Sequence, residues 1–308
     1  LGNTEKGVIL TLIVAMLLAL ESAMVKLCYG SGFDANSILA FRMSLGAAIF
    51  LAGSLIGRQK LFLPRKHWRY AAFLILVFFF TCRAYYLAIG RLPMATAVLF
   101  FFLYPVFTAL IAWFWRREHL GMGKIASLFI SIAGILIFSL TSLGKLDIWG
   151  VALALLAAIG QAVYMVFLED FLKKDDASGH AFLNTMLPAL GIIYFVMMLT
   201  QGHVIVPGNL SGWFPMMILA FFCTAVAIYL SNLGILLAGA TLAAIVCTME
   251  VPFAAAMAYL FFGDRWTPWQ FVGAVCIFIA VLMVNVPFLN KRDKRVLPEP
   301  IKEKKKLM

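Results

Sequence analysis

Thr241–Phe262 reads TLAAIVCTMEVPFAAAMAYLFF, an apolar stretch with one carboxylate, Glu250, two positions before Pro252. At a rise of about 1.5 Å per residue it crosses the roughly 30 Å hydrocarbon core of a bilayer, which predicts a membrane-spanning helix with Glu250 near its middle. An ionised carboxylate there costs at least about 2.5 kcal/mol on insertion scales, so such a residue normally faces a partner or a wet cavity. Pro252, in the same turn, removes a backbone hydrogen bond and kinks the helix. The run Met94–Trp115 carries the same device without the charge, at Tyr104-Pro105. Pro105 and Pro252 are therefore the expected kinks, with Glu250 a site residue on a bent helix. The alternative is a protonated Glu250 in a structural hydrogen bond.

The rest of the chain is built from the same material. Of its 308 residues 64% are hydrophobic, against about 45–50% in soluble domains. Apolar runs separated by polar or glycine-bearing turns fall at 7–29, 36–56, 68–89, 94–115, 121–141, 148–170, 180–200, 212–237, 241–262 and 268–288. The expected fold class is an all-α integral membrane protein with ten transmembrane helices. The first run is longer than the roughly 7–15 residues of a signal-peptide core and no small-residue cleavage site closes it, so it is read as the first span.

Charge sets the expected topology. With the N-terminus in the cytoplasm, the cytoplasmic segments gather Lys6, Arg58, Lys60, Arg65, Lys66, Arg69, Arg116, Arg117, Lys124, Lys173, Lys174 and the basic residues of the tail after Asn290. Only Arg91, Lys145 and Arg265 fall outside. The positive-inside rule thus places both termini in the cytoplasm, and a bacterial inner membrane is the expected location. The basic tail is expected to lie on anionic lipid; no nucleic-acid role follows from it, because neither aromatics nor a binding fold accompany it.

Cys28, Cys82, Cys223, Cys247 and Cys276 all lie in apolar runs without CxxC spacing, as buried thiols do. His67, His119, His180 and His203 sit in loops or at helix ends, which argues against a histidine proton relay. Neither HExxH nor GxSxG occurs, and Gly121-Met122-Gly123-Lys124 lacks the spacing of a phosphate loop. No enzyme activity, cofactor or metal is expected.

The two halves echo one another. Superposing Pro105 on Pro252 lays Phe101–Leu110 over Thr248–Met257 with an offset of one residue. The acidic turns Glu118 and Asp264 follow, and then Lys124–Ser127 against Gln270–Gly273. The starts agree as well, Gly7-Val8-Ile9-Leu10 against Gly150-Val151-Ala152-Leu153, which aligns Tyr164 with Glu21. Five helices per half force opposite orientations, the inverted-repeat plan of many secondary transporters. The expected units are a cytoplasmic segment 1–6, repeats 7–144 and 145–289, and the tail 290–308.

On these residues the sequence resembles the EamA-type members of the drug/metabolite transporter superfamily from Gly7 to about Val286. The likeness rests on Phe41-Arg42, Ala88-Ile89-Gly90-Arg91, Tyr104-Pro105, Glu118, Glu250-Val251-Pro252, Asp264-Arg265 and Gly273, taken in order. Family members often carry an acidic residue directly before the proline, whereas here Val251 intervenes, so Glu250 is expected to face a different side. The resemblance implies ten helices, a central cavity between the halves, and transport of small metabolites without ATP.

Depth picks out candidate site residues. Counted from the cytoplasmic boundary, Glu21 lies at about 21 Å, Arg83 at about 22 Å and Glu250 at about 14 Å, with Arg42 close to the level of Glu21 and Lys26 one turn further out. Arg42 and Lys26 are expected to pair with Glu21 or to snorkel. Arg83 has no basic counterpart in the second repeat, and by resemblance its helix lines the cavity, so it is the candidate for a substrate carboxylate. Glu21 and Glu250 are candidates for an ammonium group, and Tyr86, Tyr164, Tyr229 and Asn232 for polar contacts. Glu250 is also the candidate for proton coupling. Opposite charges in one cavity suit a zwitterion such as an amino acid, exported or exchanged by alternating access. The alternatives are efflux of cationic or amphipathic drugs and, in another class, a lipid scramblase or channel. The expected partners are a small-molecule substrate, the lipid bilayer and a proton as coupling ion, with the protein a monomer or homodimer.

Overall fold

A bilayer offers no water to an exposed peptide group, so every backbone N–H and C=O in it must be paired within the chain. The apolar runs meet that demand as helices. The computed structural model describes residues 2–92, 94–117, 120–139, 147–174, 179–200, 207–263 and 267–285. The first repeat holds α1 (Asn3–Gly30), α2 (Ala35–Ile56), α3 (Trp68–Ile89), a broken span made of α4 (Met94–Phe101) and α5 (Tyr104–Arg116), and α6 (Met122–Ser139). The second holds α7 (Ile148–Leu172), α8 (Gly179–Thr200), a span made of α9 (Trp213–Ala220), a π-helical turn over Phe221–Val226 and α10 (Ala227–Ala238), a broken span made of α11 (Ala240–Cys247) and α12 (Glu250–Phe262), and α13 (Pro268–Asn285). No strand occurs among the described residues. Glu118, His119, Lys145, His203, Asp264, Arg265 and the tail after 290 lie outside them.

Eight of these spans are long and apolar enough to cross a membrane; α6 and α13, apolar over Met122–Phe138 and Pro268–Met283, are shorter. Local chemistry sets the helix starts. Asp34 accepts from the backbone N–H groups of Asn36 and Ser37, and Asp147 accepts from that of Trp149, satisfying donors that a helix start leaves free. The outer surface is apolar, with Leu55, Phe80, Phe129, Leu260 and Phe278 exposed, as a lipid-facing surface requires.

The echo between the halves has a packing cause. A Cβ on Gly7 would come within 2.6 Å of the backbone nitrogen of Ala238, and one on Gly150 within 2.6 Å of Leu92 Cγ. Each glycine lets the first helix of one repeat close on the end of the third span of the other, pairing α1 with α10 and α7 with α3. α2 packs on α8, and α6 on α13, across the same pseudo-twofold.

One departure from that symmetry defines the state of the molecule. Lys6, Arg58, Arg65, Arg69, Arg116 and Lys173 mark one end of the bundle, here the basic end; Arg91 and Asp147, paired at 3.3 Å, mark the far end. Toward the basic end α11 packs on both α5 and α7. Among the described residues the counterparts, α4 with α12 and α4 with α1, do not form packed pairs. α4 lies on α7, α3 and α6, and α12 lies mainly on α1. Among the described residues the two broken spans pack on each other at the basic end and not at the far end.

The tightest contact in the α6–α13 pair gives a test. A Cβ on Gly273 would lie 2.6 Å from the carbonyl oxygen of Gly134. Small residues at such crossings let helix backbones touch in a membrane. Gly273→Val is expected to cost about 1–3 kcal/mol of stability through overpacking. Thermal unfolding in detergent checks it; an unchanged melting temperature would show that the two helices separate freely.

Candidate functional site

The two broken spans match part for part. In each, an eight-residue helix gives way to a two-residue turn, Phe102-Leu103 or Thr248-Met249, and then to a thirteen-residue helix. Pro105 and Pro252 lack the N–H that would continue the ladder. The turns are held by shorter bonds, from Val106 N–H to Leu103 and from Val251 N–H to Thr248. Registered on the breaks, Tyr104 corresponds to Glu250, each the first residue of its half-helix. Pro105 is then the second residue of its half-helix and Pro252 the third. This corrects the sequence register, which put proline on proline: the residue of offset falls on the prolines, and Glu250 takes the place of the tyrosine that directly precedes Pro105.

At the breaks the two spans meet. Tyr104 and Cys247 lie within electrostatic reach of each other and of the Glu250 carboxylate, as do Tyr85 and Glu21 of that carboxylate. Phe101 stacks against Tyr85 at 4.5 Å and against Tyr104 at 5.4 Å between centroids. No described residue donates a hydrogen bond to Glu250 or pairs with it. It is a half-buried carboxylate, at the start of α12, beside an aromatic wall.

Glu21 and Arg42 form a separate, satisfied group. Two nitrogens of Arg42 engage the two carboxylate oxygens of Glu21, Nη2 reaching Oε2 at 2.9 Å, and Nε donates to Thr224 Oγ1 at 3.2 Å. Thr224 sits in the π-helical turn, donates to the Leu219 carbonyl at 3.0 Å, and packs against Gly46. The wider turn brings a second-repeat hydroxyl to a first-repeat guanidinium; π-turns of this kind recur at functional sites. Tyr86 and Cys82 lie within electrostatic reach of the pair.

The remaining candidates scatter. Arg83 is itself half-buried and falls with Leu76, Phe80 and Leu87 on one stripe of α3, and those three are 44–64% exposed. Tyr85 stands on the opposite side of the helix. No hydrogen bond or ion pair joins Arg83 to another described residue, and its long stem suits snorkelling toward the far-end headgroups. Tyr164 is buried, donates to Met186 Sδ at 3.5 Å, and packs on Phe78. Tyr229 joins His180 and Phe50 in an aromatic group nearer the basic end. Asn232 is buried with its Nδ2 unpaired among the described residues. Of the predicted site residues the structure thus gathers Glu21, Tyr86 and Glu250. Those that sequence reading passed over are Tyr85, Tyr104, Cys247 and Thr224. The sequence signal for Tyr104 was its place next to Pro105; Thr224 had none, because a π-turn leaves no mark in an apolar run.

Two matching helical repeats, a broken span in each, and a charged cluster beside the breaks fit the architecture of a membrane transporter built on pseudo-twofold symmetry. Comparison with known proteins agrees: the EamA-like transporter family matches this chain twice, over residues 5–140 and 148–286. The chain belongs to that family. It is 26% identical over 297 residues to solute carrier family 35 member G1 of Mus musculus, covering 89% of this chain and 76% of that protein. A crystal structure of a protein sharing 17% identity has the same fold, with a TM-score of 0.79 over 95% of this chain and 98% of the other.

Two substitutions separate the groups. Arg42→Gln leaves Glu21 without its partner and is expected to cost about 3–5 kcal/mol, most of which Glu21→Gln should restore in the double variant. Arg83→Gln is expected to change stability by less than about 0.5 kcal/mol, as for a residue outside the packed core. Unfolding of the four proteins reads both; a large loss from Arg83→Gln would place that residue in the packed core.

Proposed function

We propose that this chain is a secondary transporter that moves a small amine-bearing organic molecule by alternating access, with Glu250 receiving the ammonium group. The observation that carries the reading is the state of Glu250: a carboxylate at mid-depth, unpaired among the described residues, within electrostatic reach of Tyr85 and Tyr104, on which Phe101 stacks. Arg42 is neutralised by Glu21, so an ionised Glu250 leaves the cluster with one net negative charge, which favours a cation. Tyrosine and phenylalanine faces add cation–π attraction. A continuous channel needs both ends open, and the packed basic end supports a carrier instead. By the positive-inside rule the basic end is cytoplasmic and the structure faces outward.

A second reading, a zwitterion such as an amino acid, is favoured by Arg42, whose partner Glu21 lies within electrostatic reach of Glu250. Its guanidinium would receive the substrate carboxylate in exchange for Glu21. Arg83 supports this reading less, since it lies on the stripe of exposed residues. In either case Glu250 is the group suited to exchange a proton for the substrate, which would couple transport to a pH gradient.

The test is counterflow in proteoliposomes with a primary amine as probe, competed by quaternary amines or by neutral amino acids. Competition by the amines alone is expected; competition by amino acids alone would favour the zwitterion. A charge-assisted hydrogen bond is worth about 1.5–3 kcal/mol, so Glu250→Gln is expected to weaken binding by about 10- to 100-fold and to abolish accumulation driven by a pH gradient. Native-level accumulation in that variant would remove Glu250 from the coupling role. For orientation, a cysteine introduced at Lys302 is expected to react with an impermeant reagent only after cells are permeabilised.

A further inference from the structure

At the basic end one carboxylate ties the ends of both broken spans. Glu169 of α7 is 3% exposed. It accepts from Arg116 Nη1 at 2.6 Å, from Lys173 Nζ at 2.5 Å and from the backbone N–H of Ala240 at 2.6 Å. Arg116 is the last residue of α5 and Ala240 the first of α11. Arg116 Nη2 also donates to the Val166 carbonyl, and Asp170 forms an ion pair with Arg116, its Oδ1 lying 2.8 Å from Nε. Gly239, at φ +87°, turns the chain from α10 into α11 beside this carboxylate. That φ lies where side chains are disfavoured.

The inverted repeat supplies an internal comparison. The offset that carries Gly7 onto Gly150 carries Lys26 onto Glu169, and the offset that carries Tyr104 onto Glu250 carries Arg116 onto Phe262. The counterpart positions do touch: Lys26 Nζ lies 3.8 Å from the centroid of the Phe262 ring. The third arm has no equivalent. α11 packs on α7 at the basic end, whereas α4 is not packed on α1 at the far end. The basic-end junction is thus a three-way tie of ion pairs and a helix N-terminus, and its counterpart is a two-way cation–π contact.

We propose that Glu169 is the latch that holds the basic end shut, and that release of Ala240 and Arg116 from it lets α11 part from α5 to open the inward-facing pathway. The unequal strength of the two junctions is what sets the resting state. This rests on the carrier reading above. Arg116 and Lys173 are the cations that face the carboxylate and Asp170 the neighbouring acid, so the latch is electrostatic and its release raises the open population in proportion to the bonds removed.

Cys247 is a natural reporter: it ends α11, is 6% exposed, and lies within electrostatic reach of Tyr104 of α5, on which α11 packs. In the full chain with Cys247 as its only cysteine, Glu169→Gln is expected to raise the rate of thiol labelling by about tenfold or more. Hydrogen exchange should rise in α11 and the end of α5 but not in α6 or α13. Lys173→Gln, at a 57% exposed side chain, tests the same latch should the first variant not fold, with a several-fold rise expected. Labelling within twofold of the parent in the folded variant, or exchange rising equally in α6 and α13, would overturn the latch and mark Glu169 as structural. Absence of saturable counterflow in the unaltered protein would instead sink the carrier reading, and the labelling result would stand on its own.

Discussion

The constraint on which this structure depends is the cost of an unpaired peptide group in hydrocarbon. A helix that crosses a bilayer can be interrupted only where protein covers the interruption or a polar cavity bathes it. Here two spans are interrupted, and the fold lays the interruptions against each other. Tyr104, Cys247 and Glu250 cluster there because that is the one depth at which both spans offer free backbone groups and a change of direction. The paired helices α1 with α10, α3 with α7, α2 with α8 and α6 with α13 form the frame that keeps lipid away from this point.

Electrostatics then sorts the buried charges by how completely each is answered. Glu169 has three donors and Arg42 spends its nitrogens on Glu21 and Thr224. Such groups hold helices in register. Glu250 has no described donor, which is the property on which its proposed role in binding a substrate cation rests. One satisfied group thus sits at the basic end, around Glu169, and the other, Glu21 with Arg42, lies within electrostatic reach of the unpaired Glu250.

Much of the fold was legible because turns interrupt apolar runs wherever the chain leaves the membrane. The run at 68–89 coincides with α3, and the kinks at Pro105 and Pro252 lie beside the two breaks. The pairing of Glu21 with Arg42 was legible too, since two opposite charges at one depth must answer each other. The facing of Arg83 was not. In a soluble helix an apolar stripe reveals the buried side, but on α3 the exposed Leu76, Phe80 and Leu87 are as apolar as the buried Leu74 and Ile75. Glu169 was passed over for a related reason: a charge near the end of a span can reach water, so its position in sequence does not announce that it is buried.

The π-helical turn has a consequence for how the repeats relate. α3 and α9 both open on tryptophan, Trp68 and Trp213, and each follows a short 3₁₀ turn, at Arg65–His67 and Leu210–Gly212. Counted from those tryptophans, the residues that meet the glycines at the other end, Leu92 and Ala238, are out of step by one. A π-turn holds one more residue than the α-turn it replaces. The second half therefore carries a single extra residue, looped into its helix rather than expelled to the surface, and beyond Val226 the helix returns to the register of its twin, so that Ala238 meets Gly7 as Leu92 meets Gly150. Two copies of one architecture have in this way become non-interchangeable: the frame keeps its symmetry, while the faces turned toward the cluster at Arg42 differ.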